Sequence, residues 1–271
     1  VKAGNIVIPF NELIGGNRCK ETTKNNQMWL VCVVFFMSGC ATTIEGKNSN
    51  DPLEPLNRKI YAFNMILDEN LFKPVADTYV KFTPDPLQIG IANFFENLGE
   101  INIVINDFLQ GKFKQGLMDS GRFVINSTFG VIGLVDHATD LGLRKHEEDF
   151  GQTLAVWGVG QGPYLMLPVL GPQTLRDTPA IGMSIVANPL FYVDDTTITI
   201  SLSVLGAIDL RARSEGAIQF VNEAAVDPYA FTREAYLQRR EFLIYDGNPP
   251  TSDLLDLLED LEDEDTGKET Q

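Results

Sequence analysis

Beyond residue 40 the sequence has no cysteine; its three are Cys19, Cys32 and Cys40. A chain cleaved at that point has neither a disulfide framework nor a thiolate metal site. Histidine is almost as scarce. His137 and His146 are too few and too far apart for a two-histidine metal face, so no metal and no cofactor are expected. Positive charge is also short, with 21 Lys and Arg against 37 Asp and Glu and a net charge of −16. Such a surface repels phosphate backbones, which excludes a nucleic-acid partner, and it disfavours docking on anionic lipid by charge alone. Any contact with a membrane must then be apolar or pass through a covalent anchor. Long apolar runs are missing as well: none approaches the roughly 18 residues of a conventional membrane span.

The rest of the composition is that of a folded protein. With 271 residues, 44% hydrophobic and 21% charged, the chain suffices for one large domain or two small ones.

Apolar residues from Trp29 to Met37 are followed by Ser38, Gly39 and Cys40. The run is too short to cross a bilayer but suits the apolar region of a signal peptide. Small residues before a cysteine resemble a bacterial lipobox. An ordinary secretory cleavage site, or a buried strand with an incidental cysteine, is the alternative. Lipoprotein processing would remove residues 1–39 and leave Cys40 as the lipid anchor. Three acyl chains at roughly 0.8 kcal/mol per buried CH₂ hold far more firmly than one. Ala41 stands where an inner-membrane retention signal has Asp, which directs the chain to the outer membrane. Residues 1–27 are long for the charged start of a signal peptide, and Met28 is an alternative start. Residues 40–50 read as a polar tether. At the other end, residues 251–271 form an acidic tail: nine acids and Lys268 between Asp253 and Gln271 contribute −8. Such a block is a solvated tail or a docking segment, and its leucines allow a short amphipathic helix begun by Ser252.

Residues 51–250 predict an all-α body. Leu56, Ile60, Phe63 and Leu67 share one helix face, and Leu87, Ile91, Phe94 and Leu98 repeat the spacing after Pro84 and Pro86. Ile101 to Leu109 continue to a stop at Gly111, and Phe113 to Val124 mark a further helix ending near Gly130. Helices are also expected over 174–186, 196–212, 214–224 and 228–245, although Thr196–Ser203 fits a strand equally well. Several segments are apolar on more than one face, which suits buried helices or helices lying in a membrane plane. Eight glycines between Gly130 and Gly171, interleaved with Pro163 and Pro168, predict a close-packed turn system.

No catalytic set emerges. Gly158 to Gly162 lack the Lys-Ser/Thr ending of a phosphate loop. The serine at Ser184 sits where a nucleophile elbow would need glycine at Val186, leaving little basis for a lipase that would use Asp136 and His137. His146 to Asp149 read as a solvated polar turn. Arg58, Arg122, Arg144, Arg176, Arg233, Arg239 and Arg240 are expected to pair with residues such as Glu54, Asp177 and Glu234, or in one or two cases to meet a lipid phosphate.

Asp51 to Asn64 (DPLEPLNRKIYAFN) resembles the opening of the MlaA/VacJ family of outer-membrane lipoproteins. The resemblance continues through Phe108–Gly111, Arg122–Asn126 with Gly130 and Gly133, Phe150–Leu154, Gly158–Tyr164, Leu167–Pro168, Thr174–Asp177, Asp227–Tyr229 and Arg233–Arg239. It covers about residues 40–265, departing only in residues 1–27 and in Met37 where Leu is usual. It implies a helical ring lying in the periplasm-facing inner leaflet of the outer membrane. The ring's amphipathic channel removes phospholipid strayed into the outer leaflet. Implied partners are the phospholipid, a trimeric porin, and a soluble periplasmic carrier feeding an inner-membrane ABC transporter. A polar bore lowers the barrier to a headgroup without making or breaking a bond, so no enzyme is expected. Within that frame, the polar segment from Asp136 to Phe150, containing Gly142 and Arg144 and bounded by Gly133 and Gly151, is expected to gate the bore. A lipoprotein that scaffolds porins or the envelope without moving lipid is the alternative function, and a lipid hydrolase a third.

Overall fold

The computed structural model describes residues 51–249, which fall in the second of two compact units, Lys47–Gln271. The signal region, Cys40, the tether and the acidic tail lie outside the described residues.

Helix α1 (Glu54–Leu67) opens with Pro55, whose missing N–H lies where helices leave donors unpaired. It passes through one π-helical turn, Asp68–Phe72, into α2 (Lys73–Phe82). The widened turn precedes Pro74, whose ring cannot donate to the carbonyl of Asn70 and would crowd it. After Pro84, α3 (Asp85–Leu109) runs 25 residues without a break, so the two apolar repeats expected there form one helix. Gly111, at φ +79°, turns the chain into α4 (Phe113–Thr128), which packs back along α3. A turn over Gly130–Gly133 leads to the short α5 (His137–Asp140), and α6 follows at Phe150–Val156.

The glycine-rich middle holds more than turns. β1 (Tyr164–Leu167) and β2 (Gly171–Thr174) form an antiparallel hairpin pairing Tyr164 with Thr174 and Leu167 with Gly171. Thr174 then accepts the Asp177 amide on its backbone and side-chain oxygens, so α7 begins at Thr178 and runs to Ala187 rather than starting at 174. A 3₁₀ turn (Pro189–Tyr192) precedes α8 (Thr196–Arg213). The ambiguous Thr196–Ser203 run is helical because Asp195 caps it, accepting from the amides of Thr197 and Ile198. Helices α9 (Glu215–Ala224) and α10 (Pro228–Ile244) complete the described elements.

The packing closes on itself. α1 meets α2 through the π turn, α2 packs on α8, α8 on α3, α3 on α6, α6 on α10, α10 on β2, and β1 returns to α1. This is a ring-like, all-α circuit carrying one small hairpin.

Its burial is inverted relative to a water-soluble domain. Among the described residues eight hydrophobic side chains are buried against eighteen polar or charged ones, while forty-one large hydrophobics are exposed. In water this arrangement would leave apolar surface unburied at roughly 25 cal/mol per Å². The continuous apolar cluster is small: Tyr164, Met166 and Tyr229, with Ile60, Tyr61, Tyr236 and Leu237 around them. No helix among the described residues is long and apolar enough to cross a membrane.

Candidate functional site

The helices are held together by buried polar side chains. Arg122, on α4, is central to one such group. Its side chain is 3% exposed, and it donates to Glu100 of α3 at 2.8 Å, to Asp136 at 3.0 Å, to Thr139 at 3.1 Å and to the Leu143 carbonyl. Asp136 caps α5 through the Thr139 amide and also accepts from Asn126 at 2.9 Å. Burial pushes its carboxyl up, but the Thr139 and Asn126 hydrogen bonds and the Arg122 guanidinium outweigh this and hold it well below the ordinary range. Gly133 lies against α3, where a Cβ would come within 2.6 Å of Asn97, at φ +90°. Val131 and Ile132 just before it also have positive φ, 53° and 60°, and are exposed.

The far end of the expected gating segment is equally anchored. Asp149 caps α6 and pairs with Arg240, which also reaches Asp177. Phe150, half-buried, packs edge-to-face on Trp157 at 6.1 Å. Gly151 is buried where a Cβ would meet Asp177 Oδ1 at 2.5 Å. Gly133 and Asp136 therefore belong to one cluster, Phe150 and Gly151 to another, and Gly142 and Arg144 to neither. Gly142 has φ +82° and open space around it, and Arg144 is exposed without an ion-pair partner among the described residues. The segment expected to gate thus has two fixed ends and a middle in which Leu141, Gly142 and Arg144 are exposed, while Leu143 is half-buried and held through its carbonyl by Arg122.

Residues 145–149 are more than a solvated turn. Lys145 pairs with Glu96 at 2.7 Å and His146 Nδ1 meets both carboxylate oxygens of Asp119 at 2.9 and 3.0 Å. Buried Glu148 accepts from Gln110, Lys112 and Gln115 at 2.8, 2.7 and 2.9 Å. Below them, Asp107 of α3 is fully buried beside Asp119. Burial and the Asp119 and Glu148 charges push its carboxyl up to about 8. Sequence reasoning passed over Asp107, because one acid near the end of an apolar helix carries no signal of its own.

The other expected arginine pairs form. Arg58 meets Glu54 and Asp227, Arg176 meets Asp177, Arg233 meets Asp51 and Glu234, and Arg239 meets Glu147. Two asparagines that sequence reasoning left without a role clamp the hairpin. Asn57 bonds the Tyr164 carbonyl and the Met166 amide, and Asn64 bonds the Leu167 carbonyl and the Val169 amide, all at 2.9–3.0 Å. Their spacing of one helical face, at i and i+7 within an apolar pattern, was the available clue.

Ser184 lies on α7 and donates to its own helix at Ile181, while His137 faces Asp140 at 3.7 Å. Among the described residues no group of His, Cys, Asp and Glu is arranged to hold a metal ion.

The profile of the family described as MlaA lipoprotein matches residues 49–243. The intermembrane phospholipid transport system lipoprotein MlaA of Escherichia coli is 35% identical, covering 83% of this chain and 94% of that one. Its Haemophilus influenzae counterpart is 32% identical over 78% and 87%, and an uncharacterised Rickettsia bellii protein is 33% identical over 82% and 88%. A solved chain, described as the structural basis for maintenance of bacterial outer membrane lipid asymmetry, superposes with a TM-score of 0.63 at 35% identity. It spans 72% of this chain and 98% of that one. On these grounds the chain belongs to the MlaA lipoprotein family.

Proposed function

We propose that this protein removes mislocalised phospholipid from the outer leaflet of the outer membrane and passes it toward the periplasm, preserving lipid asymmetry. The observation that carries this reading is the inverted burial: polar and charged groups inside, large hydrophobics outside, and no crossing helix among the described residues. A ring of this kind rests in one leaflet by its apolar exterior and offers polar groups to a headgroup that hydrocarbon would exclude. Cys40 is the acylated tether, and the segment from Asp136 to Phe150, with Leu141, Gly142 and Arg144 exposed and Leu143 held by Arg122, gates passage. Handing lipid to a soluble periplasmic carrier and docking on a trimeric porin complete the scheme. The protein makes and breaks no bonds in this role.

The test is outer-leaflet phospholipid in a deletion strain carrying wild type or Cys40→Ala. Restoration by wild type alone supports anchored transport. Restoration by both variants removes the anchor argument and keeps transport. No phospholipid accumulation on deletion favours a scaffold for porins or the envelope, and fatty acid released by purified protein favours a hydrolase.

A further inference from the structure

The start of α4 and the stretch before α6 frame an open groove. Phe113, Lys114 and Met118 run along its length. Leu117, Gly121 and Leu143 line its apolar end, and Lys112, Gln115 and His146 its polar end. Leu143 leans over α4, since a Cβ at Gly121 would come within 3.7 Å of its Cδ1. Phe113 and Leu117 are exposed, so the apolar floor is uncovered among the described residues. The first turn of α4 has no side-chain cap, and its free amides favour an anion nearby.

Most cations of the described residues are already paired. Lys59, Lys81, Lys114 and Arg144 are exposed and have no ion-pair partner among the described residues. Two of these belong to the groove: Lys114 lines it, and Arg144 follows Leu143. The C-terminal end of the body arrives at the same place. Asp246, just after α10, pairs with Lys112 at the polar end. The described residues end three positions later at Pro249, and the acidic tail follows. In that tail Leu254, Leu257, Leu258 and Leu261 have the i, i+3, i+4, i+7 spacing of one helix face, with Asp256, Glu259 and Asp260 between them. A helix over 252–261 is about 15 Å long, and α4 from Phe113 to Gly121 is about 13 Å. The chain from Asp246 to Leu254 reaches up to about 26 Å, which suffices to bring the two together.

We propose that the acidic tail docks in this groove of its own chain. The four leucines cover Phe113, Leu117, Met118 and Leu143, while the acids meet Lys114, Arg144 and the uncapped first turn of α4. Length, charge and point of departure agree. The other hollow beside the exit runs along α10 and offers an acid, Glu241, and an arginine, Arg239, already paired with Glu147, so it gives the tail no free cation. Docked, the tail is a strap that withholds Lys114 and Arg144 from anionic lipid headgroups. This goes beyond lipid transport, and its test contains no transport step.

The experiment is zero-length carbodiimide cross-linking of the full chain in phosphatidylcholine vesicles, whose headgroup has no primary amine, read by peptide mass spectrometry. Lys114 is expected to couple to acids between Asp253 and Glu264. The double variant Leu257→Asp with Leu258→Asp adds two acids but removes two leucines, and the Lys114 coupling should fall about tenfold or more. Lys73 with Glu215 and Lys145 with Glu96 should couple equally in both proteins, which reports that the body is folded. Lys114 coupling that is unchanged or stronger in the double variant means that a solvated tail only brushes past, and it overturns the proposal. In a mixture with isotope-labelled chains, couplings that join labelled to unlabelled peptides assign the groove to a second copy and also overturn it. No Lys114 coupling to the tail, while the two reference pairs form, leaves the groove to lipid or another partner and overturns it equally.

Discussion

Asn57 donates its side-chain amide to the carbonyl of Tyr164 at 3.0 Å, across 107 positions of sequence, and takes the Met166 amide on its own oxygen. A helix side chain thus stands in for a third strand along β1. Among the described residues the hairpin has no further strand partner, and a two-stranded hairpin alone is marginal. Asn57→Ala leaves two buried backbone groups without partners and is expected to cost about 1–3 kcal/mol. Asn64→Ala acts nearer the exposed hairpin turn and should cost less. Chemical denaturation in detergent measures the difference, and equal losses would reject the clamp as described.

Arg122→Met removes the cation from Glu100 and Asp136 while both remain in place. Breaking such a buried pair is expected to cost about 3–5 kcal/mol. The double variant Arg122→Met with Glu100→Leu should recover part of that loss, because it no longer strands the Glu100 carboxylate. A denaturation cycle over the four proteins checks the sign of the coupling.

Glycine replacements separate structural from movable positions. Gly133→Ala forces a Cβ to within 2.6 Å of Asn97 and should prevent normal folding. Gly142→Ala meets open space and suffers only the left-handed backbone penalty of about 1–2 kcal/mol. The folded Gly142→Ala protein is expected to raise outer-leaflet phospholipid in the complemented deletion strain.

Ile132 is an exposed β-branched residue at φ 60° beside Val131 at φ 53°. Ile132→Gly should raise thermal stability in detergent by the equivalent of about 1 kcal/mol, since glycine adopts this conformation without the Cβ clash. An unchanged or lower melting temperature would show that the side chain's contacts outweigh the strain.

The pH dependence has two opposed parts. Asp136 and Asp177 are held below their ordinary range in the fold, so their contribution is present above about pH 4 and is lost as pH falls through their lowered values. Asp107 is raised, so the folded state binds a proton that the unfolded chain releases near pH 4. Stability therefore falls as pH climbs from about 4 toward about 8. Asp107→Asn should melt with wild type near the acid end and above it past pH 8. Parallel melting curves at every pH would contradict this assignment.

Much of the fold was legible locally. Apolar spacing marked α1, α3 and α4, and Pro84, Pro86 and Gly111 marked where helices start and stop, because these are properties of a few consecutive residues. The hairpin was missed because Tyr164 to Thr174 is too short and glycine-rich to show alternation, and its partner is a helix side chain at Asn57. The ambiguity at Thr196 was settled by one cap, Asp195, which outweighs β-branched propensity. The stretch from Asp136 to Phe150 was legible as a polar segment between glycines, but its two anchors were not, since Arg122 and Arg240 reach it from other helices.

By itself, the amino-acid sequence determined the helical class, the family, the scarcity of catalytic groups and the excess of acid, all of which follow from residue identity and spacing. Only the tertiary structure decided which charges are buried, and why the hydrophobics face outward. Burial depends on which distant elements meet. A carboxylate such as Asp107 acquires its chemistry only when α4 and the 145–149 stretch bring two more carboxylates against it.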